Sequence, residues 1–239
     1  MKLYQYPAAF GLPCPSPFCT KAEVLLKMAG QEYEDVRVND PRKGPKGKLP
    51  AIEVDGSMIG DSELIRNWLE ERGGFDFDSG LSADEKAVGH AMARMIEDRL
   101  YWAIVYLRWL DDESFGVIKQ SFFASMPPLV RNIIPIVARR QVRGYLHGQG
   151  LGRHSREQVV EFARQDIDAL ATFLADKPFM MGETASGLDA TAYAHLANIA
   201  VPKHDMNPLR AIVHGHANLM GYVERCRLLW FPDYASAAA

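Results

Sequence analysis

A two-residue turn constrains this chain more than any other feature. Asp55-Gly56 stands between Ala51-Ile52-Glu53-Val54 and Ser57-Met58-Ile59-Gly60, two short runs rich in apolar residues. An Asp-Gly pair supplies the positive φ angles of a tight hairpin, so the runs are predicted to be neighbouring antiparallel strands. Directly after them, Asp61-Ser62 offers a helix cap. The helix is predicted to reach Arg72, with Leu64, Ile65, Trp68 and Leu69 on one face, and Gly73-Gly74 ends it. Upstream, residues 2–6 alternate as a half-buried strand would. Ser16-Pro17 is an N-cap followed by a first-turn proline. Phe18, Ala22, Leu25, Leu26 and Ala29 then recur at helical spacing, Gly30 closes that helix, and 33–38 can form a second strand.

The order is strand-helix-strand, then strand-strand-helix, which is that of a thioredoxin-like sheet. Parallel pairing through a right-handed crossover is predicted for its first half. From Leu81 onward there is no convincing strand. Ser82-x-x-Glu85 and Ser155-x-x-Gln158 are capping boxes that open long helical patterns, and Ser186-x-x-Asp189 is a version with a shorter acid. The helix after Ser82 is predicted to run to about Leu110, with Met92, Met95, Ile96, Leu100, Ala103, Ile104 and Leu107 inward. Pro127-Pro128 and Pro202 punctuate later helices. The fold class is therefore an α/β thioredoxin-like N-terminal domain over 1–75 plus an all-α C-terminal domain over 82–239, with Gly73 to Gly80 as linker. The small Ala-rich tail after Tyr234 is the one biased segment.

Lys+Arg 27 against Asp+Glu 30 leaves a formal charge of -3, too balanced for a nucleic-acid partner. The loop Arg42-Lys43-Gly44-Pro45-Lys46-Gly47-Lys48 is a local basic exception, either solvated or a helper for an anionic ligand. No apolar run approaches the roughly 18 residues of a membrane span, and no membrane partner is expected. Three cysteines make a disulfide framework an unattractive reading and favour a reducing, cytoplasmic setting.

Three places in the first 75 residues converge on one ligand. Ser16-Pro17-Phe18-Cys19 opens a helix, whose unpaired N–H groups and positive dipole end stabilise a nearby thiolate. Ser16 either caps that helix, donates a hydrogen bond to the thiolate of a bound thiol cofactor, or does both. It stands where a redox protein would carry the first Cys of a C-x-x-C pair. Lys48-Leu49-Pro50 precedes the hairpin, the place where thioredoxin-like folds turn a backbone towards the ligand. Asp61-Ser62 at the next helix start is a ready site for a carboxylate. Elsewhere the signals are poor. His214 and His216 point to different sides of a helix with no further ligand nearby, no metal is expected, no phosphate-binding glycine loop appears, and Cys226 reads as packed.

The set Ser-Pro-Phe-Cys, Lys-Leu-Pro and Asp-Ser, with the capping box before Leu188-Asp189-Ala190, resembles the glutathione transferase superfamily over nearly the whole chain. Pro15 to Lys21 and the ending Trp230-Phe231-Pro232-Asp233-Tyr234 are most similar to its failed-axon-connections and metaxin-like branch. The resemblance implies that Leu49, before Pro50, pairs its backbone with the cysteinyl part of glutathione. It implies that Asp61 and Ser62 hold the γ-glutamyl end, that Lys48 sits near the ligand, and that Ser16 is the thiol-activating catalytic residue. Asp189 would have a structural role. The loop before the first helix is longer than in many members, so Tyr4, Tyr6 or Cys14 are alternatives for thiol contact. The implied activity is addition of glutathione thiolate to a hydrophobic small-molecule electrophile by a homodimer. Two other functions stay open: a non-catalytic binding or scaffold protein, and a glutathione-dependent thiol oxidoreductase using Cys14 or Cys19.

Overall fold

A computed structural model describes residues 1–123, 127–203, 208–234 and 236. Four strands form one mixed sheet: β1 (Lys2–Gln5), β2 (Glu34–Arg37), β3 (Ala51–Val54) and β4 (Ser57–Gly60), in the order β2-β1-β3-β4. β1 and β2 pair in parallel, with Tyr4 opposite Val36, and the crossover between them is α1 (Pro17–Met28). β3 and β4 form the antiparallel hairpin with Ile52 opposite Ile59, and Asp55 and Gly56 take the positive φ angles that this turn requires. α2 (Ser62–Glu71) follows at once. Its buried side is Ser62, Ile65 and Leu69, whereas Leu64, read from the sequence as part of the same face, is 42% exposed. At 100° per residue Leu64 lies a quarter-turn from Ile65 and off the stripe that meets the sheet.

The remaining elements are helical. The run opened by the Ser82 capping box comprises α3 (Ala83–Met95), one π-helical segment (Ile96–Leu100) and α4 (Tyr101–Leu110). Ile96, Leu100, Ala103, Ile104 and Leu107 are buried, as read from the sequence, while Met92 and Met95 are only partly covered. A three-helix segment follows: α5 (Asp112–Phe123), α6 (Pro128–Arg131) and α7 (Ile134–Gln149). Then come α8 (Arg156–Leu174), α9 (Gly187–Ala200), α10 (Pro208–His214) and α11 (Ala217–Trp230).

α9 is the axis of the molecule, for all its residues are buried and α1 packs along it. Its many alanines let that approach be close. Asp189 is sealed in the centre, where its carboxylate accepts from the N–H of Met180 and of Ser186 (2.8 Å each) and from the Tyr222 hydroxyl (3.0 Å). Burial raises its pKa, and these donors oppose that rise. The Ala-rich tail lies outside the described residues except for Ser236.

Candidate functional site

The elements that sequence reasoning singled out meet at one end of the sheet, where β1 and β4 finish and β3 begins. Ser16 caps α1: its hydroxyl oxygen accepts from the Cys19 N–H at 3.4 Å, and its carbonyl accepts from the Thr20 N–H at 3.0 Å. A hydroxyl has a donor and two acceptor lone pairs, so capping leaves the Ser16 O–H free to donate outward. Leu49 and Pro50 are buried and joined by a cis peptide bond. Leu49 packs with Cys14 and Cys19, the residues flanking Ser16, and so brings the loop before β3 against the start of α1. The Asp61 N–H donates to the Pro50 carbonyl at 3.1 Å, which sets the start of α2 beside the same loop. Gly44 holds the preceding turn closed; a Cβ there would lie 1.8 Å from the Lys48 carbonyl oxygen.

At α2, Asp61 is the N-cap, accepting from the Glu63 N–H at 2.9 Å, and holds a φ of 90°. A non-glycine residue keeps such a backbone only when its surroundings over-determine it. Ser62 is buried at the first helical position, and among the described residues its hydroxyl has no protein hydrogen bond. Lys48 is exposed, its Nζ 5.8 Å from the centre of the Tyr145 ring of α7, so the third helix of the three-helix segment comes near the same loop.

The alternative thiol-contact residues separate. Tyr4 is committed elsewhere, donating to Glu53 at 2.6 Å. Tyr6 packs beside Cys14, Cys19 and Leu49, and burial raises its pKa, with the neighbouring thiols adding to the rise. Cys14 and Cys19 are free thiols, both fully buried. Burial, then the adjacent Cys19, pushes the Cys14 thiol well up, which disfavours the thiolate that exchange chemistry needs.

Several residues that hold this site in shape escaped the sequence reading. The loop from β1 to α1 turns at Phe10-Gly11, both at positive φ. Arg37 from β2 donates to the carbonyls of Tyr6 (2.8 Å) and Pro13 (2.6 Å). Arg108 from α4 donates to that of Pro15 (2.8 Å) and, on its other side, to that of Asn198 (2.7 Å). Lys21, one turn into α1 and buried, pairs with Glu63 (2.7 Å) and Glu97 (2.8 Å). Arg94 pairs with both carboxylates from the far side. Burial raises the Glu63 pKa, but attraction to Lys21, then to Arg66 and Arg94, outweighs it and the net shift is downward. This network joins α1 and the start of α2 to the helical part, along a cavity of about 280 Å³ lined by Arg66, Arg94 and Thr191 among others. His195 of α9 is buried against Phe18 and Tyr101, its Nδ1 2.8 Å from the Thr191 carbonyl, and burial lowers its pKa to about 4. His214 and His216 bind different partners, the Ala200 carbonyl and Asp168.

A thioredoxin-like sheet with paired helix starts, followed by helices around a sealed capping-box aspartate, defines a class that comparison makes explicit. Residues 17–114 match the family Glutathione S-transferase N-terminal domain, and residues 163–226 match Glutathione S-transferase, C-terminal domain. The chain is 38% identical over 236 residues to isoprene-epoxide–glutathione S-transferase of Rhodococcus sp. (strain AD45), covering 94% of this chain and 97% of that one. It is 32% identical over 243 residues to failed axon connections of Drosophila melanogaster, covering 97% of this chain and 58% of that longer one. Metaxin-2 of Homo sapiens is 26% identical over 213 residues, 88% of this chain and 81% of its own length. The beta-etherase of Sphingobium sp. strain SYK-6 shares the fold, with a TM-score of 0.65 at 18% identity over 95% of this chain and 94% of that one. The protein belongs to the glutathione S-transferase superfamily.

Proposed function

We propose that the chain is a glutathione transferase that binds glutathione across Leu49, Asp61 and Ser62 and adds its thiolate to a hydrophobic small-molecule electrophile. The observation that carries this reading is the meeting of two capped helix starts, each with a serine, around the Leu49-Pro50 loop. The γ-glutamyl carboxylate sits on the unpaired N–H groups of α2 and the Ser62 hydroxyl. The backbone of Leu49 pairs with the cysteinyl part, and Lys48 adds positive charge beside the ligand. Sulfur then lies at the start of α1, where the dipole end and the Ser16 O–H stabilise the thiolate. The electrophile enters between the loop bearing Phe10 and the walls made by α4, α5 and α7. There Phe18 meets Tyr101 edge-on at 4.7 Å, and Phe10 meets Phe122 at 5.7 Å. A carbon–sulfur bond forms as the bond from that carbon to its leaving atom breaks. For an epoxide, the substrate class named for the Rhodococcus relative, the released alkoxide takes up a proton.

The sheet-bearing unit over 1–75 and the helical unit over 82–239 are proposed as the two domains, and the working form as a homodimer. The deeply buried cysteines weigh against an oxidoreductase and leave the non-catalytic binding protein as second reading. Calorimetry tests the site. A charge-assisted hydrogen bond contributes roughly 1.5–3 kcal/mol, so Ser62→Ala should weaken glutathione affinity about tenfold or more. Unchanged affinity would remove Ser62 from the site. Binding in wild type without turnover of a small epoxide would favour the scaffold.

A further inference from the structure

Residues 114–156 contain no Asp or Glu, yet hold seven Lys+Arg. This 43-residue stretch carries a formal +7 while the other 196 residues carry -10, against -3 overall. The stretch runs from Ser114 within α5, through α6 and α7, to Arg156 at the start of α8, and the exposed tip where α6 meets α7 is apolar. Ile133, Ile136 and Val137 are 62%, 67% and 59% exposed. Their spacing of three and four puts them on one face, where the first turns of α7 begin. Arg140 and Arg143 continue that face, and Arg131 stands on the turn before it. All three are exposed and none has an ion pair among the described residues. Arg139 is turned the other way: it donates to the Trp109 and Leu110 carbonyls at 2.7 Å and pairs with Asp112. The base of α7 is thereby fixed to the end of α4, and the apolar tip is a fixed part of the surface.

We propose that this α6–α7 tip is a docking surface for an anionic lipid bilayer, which it touches without crossing. Isoleucine and valine at the end of a helix gain by entering the boundary between headgroups and acyl chains. Arginines one and two turns behind reach back along their stems to the phosphates. Self-pairing of this patch would set Arg140 and Arg143 against themselves with no acid to meet them, and an uncharged apolar partner would leave the cations without a role. The acidic remainder of a second copy is the competing occupant, which a self-association readout separates. No helix among the described residues is long and apolar enough to cross a membrane.

The test is co-sedimentation of the full chain, without glutathione, with vesicles of phosphatidylcholine alone or with one third phosphatidylglycerol. Binding is expected to the anionic vesicles only, and to fall as salt rises. Each Lys or Arg near such a surface contributes about a fivefold effect, so Arg140→Gln with Arg143→Gln should weaken binding about thirtyfold. Ile136→Ser with Val137→Ser should weaken it about tenfold or more and leave the melting temperature unchanged, since both side chains are exposed. Arg164→Gln, on the exposed side of α8, should change nothing. Four outcomes would overturn the proposal: no binding to anionic vesicles, equal binding to neutral ones, binding indifferent to both double variants, or loss of self-association in place of vesicle binding when the isoleucine face is altered.

Discussion

Replacing Lys21 with methionine isolates what joins the sheet to the helices. Methionine keeps the length of the stem and removes the charge. Two close ion pairs disappear, at 2.7 Å to Glu63 and 2.8 Å to Glu97. The two carboxylates fare differently. Glu63 has a side chain 42% exposed and can be rehydrated, whereas Glu97 is 6% exposed and retains Arg94 and a long contact to Thr191. Breaking a buried pair by removing one partner costs about 3–5 kcal/mol, and the surviving Arg94 sets the cost near the lower end, about 3 kcal/mol. A chain of this size loses roughly 2–4 °C of melting temperature per kcal/mol, so Lys21→Met should melt about 6–12 °C below wild type. Thermal unfolding followed by circular dichroism at neutral pH measures this. Because the cost arises from a stranded charge, adding Glu97→Gln should restore at least half of the loss. A Lys21→Met protein melting within about 1 °C of wild type would refute the reasoning. So would a double variant no more stable than the single one.

The Ser16 hydroxyl is tested through the thiol it is proposed to hold. Ser16→Ala should raise the pKa of bound glutathione, read by thiolate absorbance against pH, with each unit worth about 1.36 kcal/mol of thiolate preference. A lower melting temperature with no change in that pKa would reduce Ser16 to a cap. Light scattering at micromolar concentration should return twice 26.7 kDa, and a value of 26.7 kDa would refute the homodimer. His195 is held neutral, with its folded pKa lowered to about 4 from 6.5. The unfolded chain therefore binds the extra proton first, and stability present above pH 6.5 is lost as pH falls towards 4, by about 3 kcal/mol in all. His195→Gln should flatten that part of the acid-unfolding curve, and an unaltered curve would exclude His195 as its source.

Where the controlling interactions are local, the chain declares them. Asp55-Gly56, the Ser82 and Ser155 boxes and the Asp61 cap each act within a few residues, and each lies where the pattern puts it. The roles proposed for Ser16, Lys48, Leu49, Pro50, Asp61 and Ser62 towards a ligand come from the family resemblance. These residues were legible as an ordered set because they sit at locally marked caps and a proline turn. Lys21 was not, because its partners lie 42 and 76 positions away and an isolated lysine on a helix reads as solvated. The Phe10-Gly11 turn was hidden by its first residue, since phenylalanine at positive φ carries no turn signature. The π-helical segment at 96–100 leaves the apolar spacing nearly intact and so shows no break. The acid-free stretch was present in the residues but belongs to charge pattern, and hydrophobic periodicity passes over it.

Arg37 and Arg108 grip the long loop before α1 by its carbonyl oxygens at Tyr6, Pro13 and Pro15, groups that every amino acid supplies. Those anchors of the frame are thus indifferent to the side chains at positions 6, 13 and 15. On the proposed reading, an exchange at position 16 alters the group offered to the sulfur while Arg37 and Arg108 keep hold of the loop through its carbonyls. Sequence change at positions 6, 13 and 15 is thereby decoupled from the path of the loop.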